Sequence, residues 1–368
     1  MQLISQERLA KADKILFIAH LAIGDFTYLQ NGFKAFAQAY PHLRIDLWID
    51  EVRRTSDSSK WGHLKNYALY DWAENCPFFA KVYRRTYSPA LLQESIAEAQ
   101  AEAYPIVVSL ATLRPPQYAR LARACGPSAW VVGMRRKPRW YVPSDWCAYR
   151  GLDASFAPFQ SFPGYHITDE YADWFKQLGG VTMDAGQRFP FIDIDPQWQA
   201  QARSQLATWG FTDNGETAAP LVFINPFAKT RKRCWPVGRV ADLITALQAD
   251  GKWRNARFII NATPQEIEAA RQQIADRLPP RTVWFSADQN FYQLPALLQC
   301  CDLVVSVETA VMHLANAVHV PVVALMRRKN PEWAPFDKAH SRVVMAARRS
   351  DWVDAIPVSQ VREVMEAL

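Results

Sequence analysis

The sequence predicts an α/β protein built from two doubly wound, Rossmann-like domains. Short runs rich in Val, Ile and Leu alternate with stretches of helical period, the pattern of buried parallel strands joined by crossover helices. That alternation runs twice, interrupted by a Gly- and Pro-rich stretch at Gly179–Pro196. The chain, at 368 residues, is long enough for two such domains.

The elements follow in order. Lys14–Ala19 reads as a first buried strand, and His20–Asp25 as a loop ending in Gly-Asp. Phe26, Leu29, Phe33, Phe36 and Ala37 share one helical face, so a helix is expected over Phe26–Tyr40, with Pro41 ending it. Arg44–Ile49 is the next strand and completes a βαβ start. Asp50–Lys65 is polar and without period, a loop expected to flank the active site, and Tyr67–Phe79 is aromatic-rich with no assignable period. Val82–Tyr83, Pro105–Leu110 and Ala129–Gly133 read as strands; Ala90–Glu102, Tyr118–Cys125 and Ile167–Leu178 read as helices. Pro196–Thr208 is a helix that opens the second series.

In that series Leu221–Asn225, Ala256–Asn261, Thr282–Phe285, Leu303–Val307, Val322–Leu325 and Val343–Ala346 are strands. Val237–Gln248, Pro264–Leu278 and Tyr292–Cys300 are helices, and another begins near Thr309, where Val311, Leu314, Ala315 and Val318 recur at helical spacing. Val358–Leu368 is a C-terminal helix. The expected organisation is an N-terminal domain over 1–185, a C-terminal domain over 186–353, and the C-terminal helix, 354–368, packing back toward the N-terminal domain. The repeat is one of architecture, not of sequence.

Composition narrows the function. No apolar run reaches the roughly 20 residues needed to span a bilayer, and Met1–Lys14 has no signal-peptide core. These features read as a cytoplasmic protein. The six cysteines lack Cys-x-x-Cys spacing and have no His at ligand spacing beside them, so reduced structural thiols are expected and no metal. A formal charge of +6 suits an anionic partner but does not by itself imply nucleic acid. No Gly-x-Gly-x-x-Gly is present for a dinucleotide, and no cofactor is expected.

Four places carry chemistry. Asp25 follows Gly24 at the start of a helix beyond a buried strand, where it could deprotonate a hydroxyl or simply cap the helix. The loop Asn225–Pro236 holds Lys229, Thr230, Arg231, Lys232 and Arg233 between a strand and a helix, placed to neutralise a diphosphate or to stand in solvent. Glu266 suits a grip on ribose hydroxyls, or serves the dipole of its own helix. The turn Glu308-Thr309-Ala310 puts a helix N-terminus, an anion-favouring place, at the carboxyl edge of the sheet; Thr309 alternatively caps that helix. Ligand-facing loops on two such domains imply a central cleft between them and closure about it.

Together these segments resemble the two-domain GT-B glycosyltransferases, and within them the heptosyltransferase family that builds the lipopolysaccharide inner core. The resemblance is strongest at Ile15–Asp25, Phe223–Pro236 and Leu297–Leu325. Asp302-Leu-Val-Val-Ser-Val-Glu-Thr-Ala-Val-Met-His-Leu-Ala-Asn-Ala317 looks like the family's Asp-Thr-Gly-x-x-His-x-Ala-Ala motif. The resemblance implies that Asp25 is the catalytic base, that Arg233 faces the donor phosphate and that Glu266 binds ribose. It places Thr309, Ala310 and His313 at the donor diphosphate.

It further implies inverting, metal-independent transfer of a sugar, heptose from ADP-heptose, to a lipid-linked anionic saccharide, with peripheral contact to the inner membrane and no nucleic acid. Glu308 stands where Asp is usual, Ala310 where Gly is usual, and His20 where Arg or Lys is common; these departures bear on the donor sugar. His20, Arg53, Arg54, Arg114, Arg135 and Arg136 are candidate acceptor contacts, with Arg120, Arg123, Lys137 and Arg139 adding to the same basic set. A transferase using another nucleotide sugar of the UDP-hexose type, and a nucleotide-sugar-binding protein without catalysis, are the alternatives.

Overall fold

A computed structural model describes residues 2–50, 53–137, 143–211, 219–249 and 251–368. The chain forms two compact units. The first comprises Met1–Pro163 and Thr168–Arg188, and the second Gly164–Ile167 and Phe189–Leu368.

The first unit holds strands β1 (Lys14–Ala19), β2 (Arg44–Ile49), β3 (Lys81–Tyr83), β4 (Ile106–Ser109), β5 (Trp130–Gly133) and β6 (Ala154–Ser155), in the spatial order β3-β2-β1-β4-β5-β6. The second holds β7 (Leu221–Asn225), β8 (Arg257–Asn261), β9 (Thr282–Phe285), β10 (Leu303–Val307), β11 (Val322–Met326) and β12 (Arg342–Met345), in the order β12-β11-β10-β7-β8-β9. Every pairing in both sheets is parallel. Counted from its own first strand, each sheet has the same order, 3-2-1-4-5-6, and reverses direction between its first and fourth strands. In open parallel sheets ligands bind outside the carboxyl ends of strands at that reversal. The two places are therefore the ends of β1 and β4, and the ends of β7 and β10.

Burial explains why the strand runs are apolar without alternation. β4, β7, β10 and β11 are buried along their whole length, as strands covered on both faces must be. The Tyr67–Phe79 segment, unreadable by period, contains a short helix, Ala68–Glu74, whose Tyr70 and Trp72 are buried. The C-terminal helix is Val358–Glu366. Its Val361 and Met365 enter the core of the second unit, beside Trp253, whose indole N–H donates to the Met365 carbonyl at 3.2 Å. Val358 and Val364 pack against the same core, so this helix is part of the second unit's interior.

One close approach organises the first unit. Gly32 lies in the helix Ile23–Ala39, and a Cβ built there would run into the ring of Phe175 on the helix Ile167–Gly179. Phe175 in turn packs edge-on to Phe33 at 5.4 Å between centroids. Gly32→Ala is expected to lower unfolding stability by about 1–3 kcal/mol, the usual cost of overpacking, as read by urea denaturation. A stability equal to wild type would show that the two helices separate freely.

Candidate active site

In the first unit the chain leaves β1 at Ala19 and turns into a helix at Ile23, three residues earlier than the apolar period indicates. Ala22 takes the N-cap position with extended backbone angles, and its methyl cannot accept a hydrogen bond. Asp25, at the third helical position, does so instead: its Oδ2 accepts the Ala22 N–H at 3.1 Å. The Tyr171 hydroxyl donates to the other oxygen, Oδ1, at 3.2 Å. Asp25 thus supports its helix, and it is also half-buried at the switch point. Burial raises its pKa above the ordinary carboxylate range, outweighing the Ala22 N–H, the Tyr171 hydroxyl, its own N–H and the nearby His20, all of which lower it. His20 is half-buried, with Nδ1 3.4 Å from the Asp50 carbonyl.

The second unit brings four polar side chains together across its switch point. The Asn225 amide, at the end of β7, donates to Ser306 Oγ at 3.1 Å and Thr309 Oγ1 at 2.9 Å. Asn261, at the end of β8, donates to Asn225 Oδ1 at 2.8 Å. Thr309 precedes the helix Ala310–Ala317, yet its hydroxyl faces this network and makes no capping bond. Of the two sequence alternatives, capping is therefore set aside. The first-turn N–H groups keep no side-chain cap, and an anion there would find unsatisfied donors and the positive end of the dipole.

Glu308 is 6% exposed and does not stand free: its Oε2 accepts from Arg327 Nε at 2.8 Å. The basic loop is closed on itself. The Cys234 thiol accepts the Ala228 N–H at 3.3 Å, the Trp235 N–H donates to the Pro226 carbonyl at 2.8 Å, and the Trp235 indole donates to Ile356 at 3.0 Å. Arg231–Arg233 form a single tight turn. A cavity of about 520 Å³ is lined by Thr230, Arg231, Lys232, Arg233, Arg327, Lys329, Asn330 and Trp352. Five of these are cations and none is a carboxylate, so the cavity is a place for an anion. Lys229 is exposed on the same loop, outside that lining.

Glu266 is committed locally: its Oε2 accepts the Thr263 N–H at 2.8 Å while Thr263 Oγ1 accepts the Glu266 N–H, a reciprocal capping box. His313 is buried, 3% exposed, beside the ring of Trp333. Burial, with a smaller contribution from His166, lowers its pKa to about 3.

The basic residues of the first unit divide into two sets. Arg114, Arg120, Arg136 and Lys137 line one cavity of about 510 Å³ with Asp145 and Tyr149, and Arg135 stands over the Tyr149 ring at 5.6 Å. Arg53 is exposed. Arg54 is paired with buried Asp50 at 2.6 Å, and Asp50 also accepts from Tyr118 at 2.8 Å. Arg123 binds Asp153 and several backbone carbonyls. These last two therefore serve the fold; Arg139 lies outside the described residues.

The family model for glycosyltransferase family 9 (heptosyltransferase) matches residues 128–351, more than half of the chain. The chain belongs to glycosyltransferase family 9. This glycosyltransferase is similar over 96% of its length to three solved structures. One is a glycosyl transferase family 9 protein from Veillonella parvula DSM 2008 (20% identity, 96% of that chain, TM-score 0.76). A second is E. coli ADP-heptose lps heptosyltransferase II (16%, 98%, 0.67). The third is E. coli heptosyltransferase WaaC with ADP-2-deoxy-2-fluoro heptose (15%, 99%, 0.61). At these identities the likeness establishes the fold, GT-B. No curated protein matches the sequence.

The family match spans the whole second sheet and stops short of Asp25. Sequence reasoning missed Tyr171, Arg327, Asn261 and Ser306 in this family 9 enzyme. Arg327 had a signal, a cation directly after a strand; Tyr171 had none. Among the described residues no group of three or more His, Cys, Asp or Glu could hold a metal, and no helix is long and apolar enough to cross a membrane.

His313 has a consequence for stability. Its folded pKa lies below the unfolded value of about 6.5, so folding favours the neutral ring. That contribution is complete above about 6.5 and is lost as pH falls toward 3. His313→Gln is expected to flatten the decline in melting temperature between pH 6.5 and 4. An unchanged slope would assign the acid sensitivity to other groups.

Proposed function

We propose that this family 9 enzyme transfers a heptosyl group from ADP-heptose to a hydroxyl of a lipid-linked, anionic core saccharide of lipopolysaccharide, with inversion at the anomeric carbon. The observation that carries the reading is the cation-lined cavity whose Arg327 bonds Glu308, the residue before Thr309 and its uncapped helix. Asp25 takes the acceptor proton; burial raises its pKa, which makes the carboxylate a stronger base than an exposed one. Arg233, Lys229 and the N–H groups of Ala310 and Val311 take up the charge of the departing diphosphate. Because those groups supply the charge, the reading needs no metal. Thr230 and Glu266 belong to the donor site in this reading, Glu266 through the oxygen its capping box leaves over. A neutral His313 orients without adding charge.

Acceptor phosphates and acidic sugars are assigned to His20, Arg53, Arg114, Arg135 and Arg136, with peripheral contact to an anionic inner-membrane surface. The domain assignment is an acceptor-binding N-terminal domain and a donor-binding C-terminal one. WaaC, whose structure contains ADP-2-deoxy-2-fluoro heptose, supports the choice of donor.

A second donor reading rests on one observation. Glu308, standing where Asp is usual, has its carboxylate paired with Arg327, a changed donor-side group that fits another nucleotide sugar, of the UDP-hexose type. A thermal-shift screen against ADP-, UDP-, GDP- and CMP-sugars with their free nucleotides separates the readings, since a ligand of the native state raises the melting temperature. Selective stabilisation by adenine diphosphates is expected. Selective response to a uridine diphosphate would replace the donor, and no response by the folded protein would overturn both.

A further inference from the structure

We propose that Tyr171 is a positioning residue for Asp25: its hydroxyl fixes the carboxylate's rotamer and sets the pH at which that carboxylate can accept a proton. The inference rests on the reading of Asp25 as the base and adds to it a residue 146 positions away in sequence.

Both carboxylate oxygens of Asp25 are already engaged, and by different elements. Oδ2 is held by the Ala22 N–H of its own helix turn, and Oδ1 by the Tyr171 hydroxyl from the helix Ile167–Gly179. Two anchors on two oxygens remove rotation about both side-chain torsions, while each oxygen keeps a second lone pair for an incoming proton. The Tyr171 ring is itself immobile: it is 5% exposed and packs against Trp174 at 4.8 Å between centroids. Burial and the adjacent Asp25 charge push its pKa well above the ordinary phenol value. It therefore stays a donor throughout the working range and never competes for the proton.

The groups that bear on the pair are His20 from the loop after β1, Tyr28 from the Asp25 helix, and Glu170 from the Tyr171 helix. Of these, His20 lowers the Asp25 pKa, while Glu170 and Tyr28 act on the phenol. Burial disfavours the ionised form that a base must hold. The phenol stabilises the ionised form, opposing that burial, and does so without adding a charge that would have to be desolvated.

The deciding experiment is a carbon-13 titration of the full-length protein labelled at the aspartate side-chain carboxyl. The Asp25 signal is identified by its loss in Asp25→Asn. In Tyr171→Phe, which keeps the ring and its packing, the Asp25 midpoint is expected to rise by roughly one pH unit, the size of a hydrogen bond to a charged group. Incorporating 3-fluorotyrosine at position 171, a stronger donor of nearly the same shape, moves it the opposite way. With ADP-heptose as donor, the acidic limb of the transfer rate follows the same shifts, kcat falling while the donor KM holds. An Asp25 midpoint indifferent to both changes overturns the proposal and leaves the base reading intact. Retained transfer by Asp25→Asn, with the midpoint shifts present, overturns the base reading and leaves the Tyr171 contact structural.

Discussion

Asp25→Asn is expected to reduce transfer by about 10²- to 10⁴-fold, the range that general base catalysis supplies, while the thermal shift produced by the donor stays as in wild type. The amide keeps the oxygen that the Ala22 N–H needs, so the helix start survives. The substitution removes the proton acceptor and turns an NH2 toward Tyr171, whose hydroxyl must then accept rather than donate. Loss of donor binding in parallel with turnover would show that Asp25 acts through the fold.

The same variant carries a stability signature of definite sign. The folded pKa of Asp25 is raised above its unfolded value, so the folded state binds more protons between those two values. Its favourable contribution is whole below the unfolded pKa of about 3.9 and is lost as pH rises through the folded pKa. Above the unfolded pKa that contribution falls away, and at pH 7 Asp25→Asn is expected to melt higher than wild type. The difference should shrink as the pH is lowered toward 4. A lower melting temperature at pH 7 would contradict the assignment of burial as the dominant influence.

Arg327→Met is expected to destabilise the protein by about 3–5 kcal/mol, because it strands the buried Glu308 carboxylate without its partner. The double change Arg327→Met with Glu308→Leu should recover most of that loss, since no unpaired charge then remains. Chemical denaturation of the two variants tests this. If the single variant is as stable as wild type, Glu308 finds another donor, and Arg327 acts in the cavity alone. Donor affinity separates the two roles: the double variant, restored in stability, should still bind nucleotide diphosphates more weakly, having lost one of five lining cations.

What the sequence disclosed, and what it withheld, follows from the range of the interactions involved. The strands of the second unit were legible because double-sided burial leaves uninterrupted apolar runs, as in Val304-Val305 and Val322-Val323. The Glu308–Ala310 turn stood out because it directly follows such a run, and Asp25 because it lies in the first turn of the helix that comes after one. The start of the first long helix was misplaced by three residues because Asp25 caps it from within, a bond that apolar period does not register. The state of Glu308 was hidden because its partner lies 19 residues on, and Tyr171 was hidden because it sits on an ordinary amphipathic helix from a distant part of the chain. Glu266 and Arg54 each have a local partner that their spacing did not disclose.

Gly32 bears on more than packing. It lies seven residues beyond Asp25 on one helix, about 10 Å along the axis, and the ring it accommodates, Phe175, lies one turn beyond Tyr171 on the other. The missing side chain acts as a shim of zero thickness between two rods, and the phenol–carboxylate distance is read off their separation. A methyl group inserted at 32 would lengthen that distance from afar. Its expected mark would be a shifted Asp25 titration, through a residue with no ionisable group of its own.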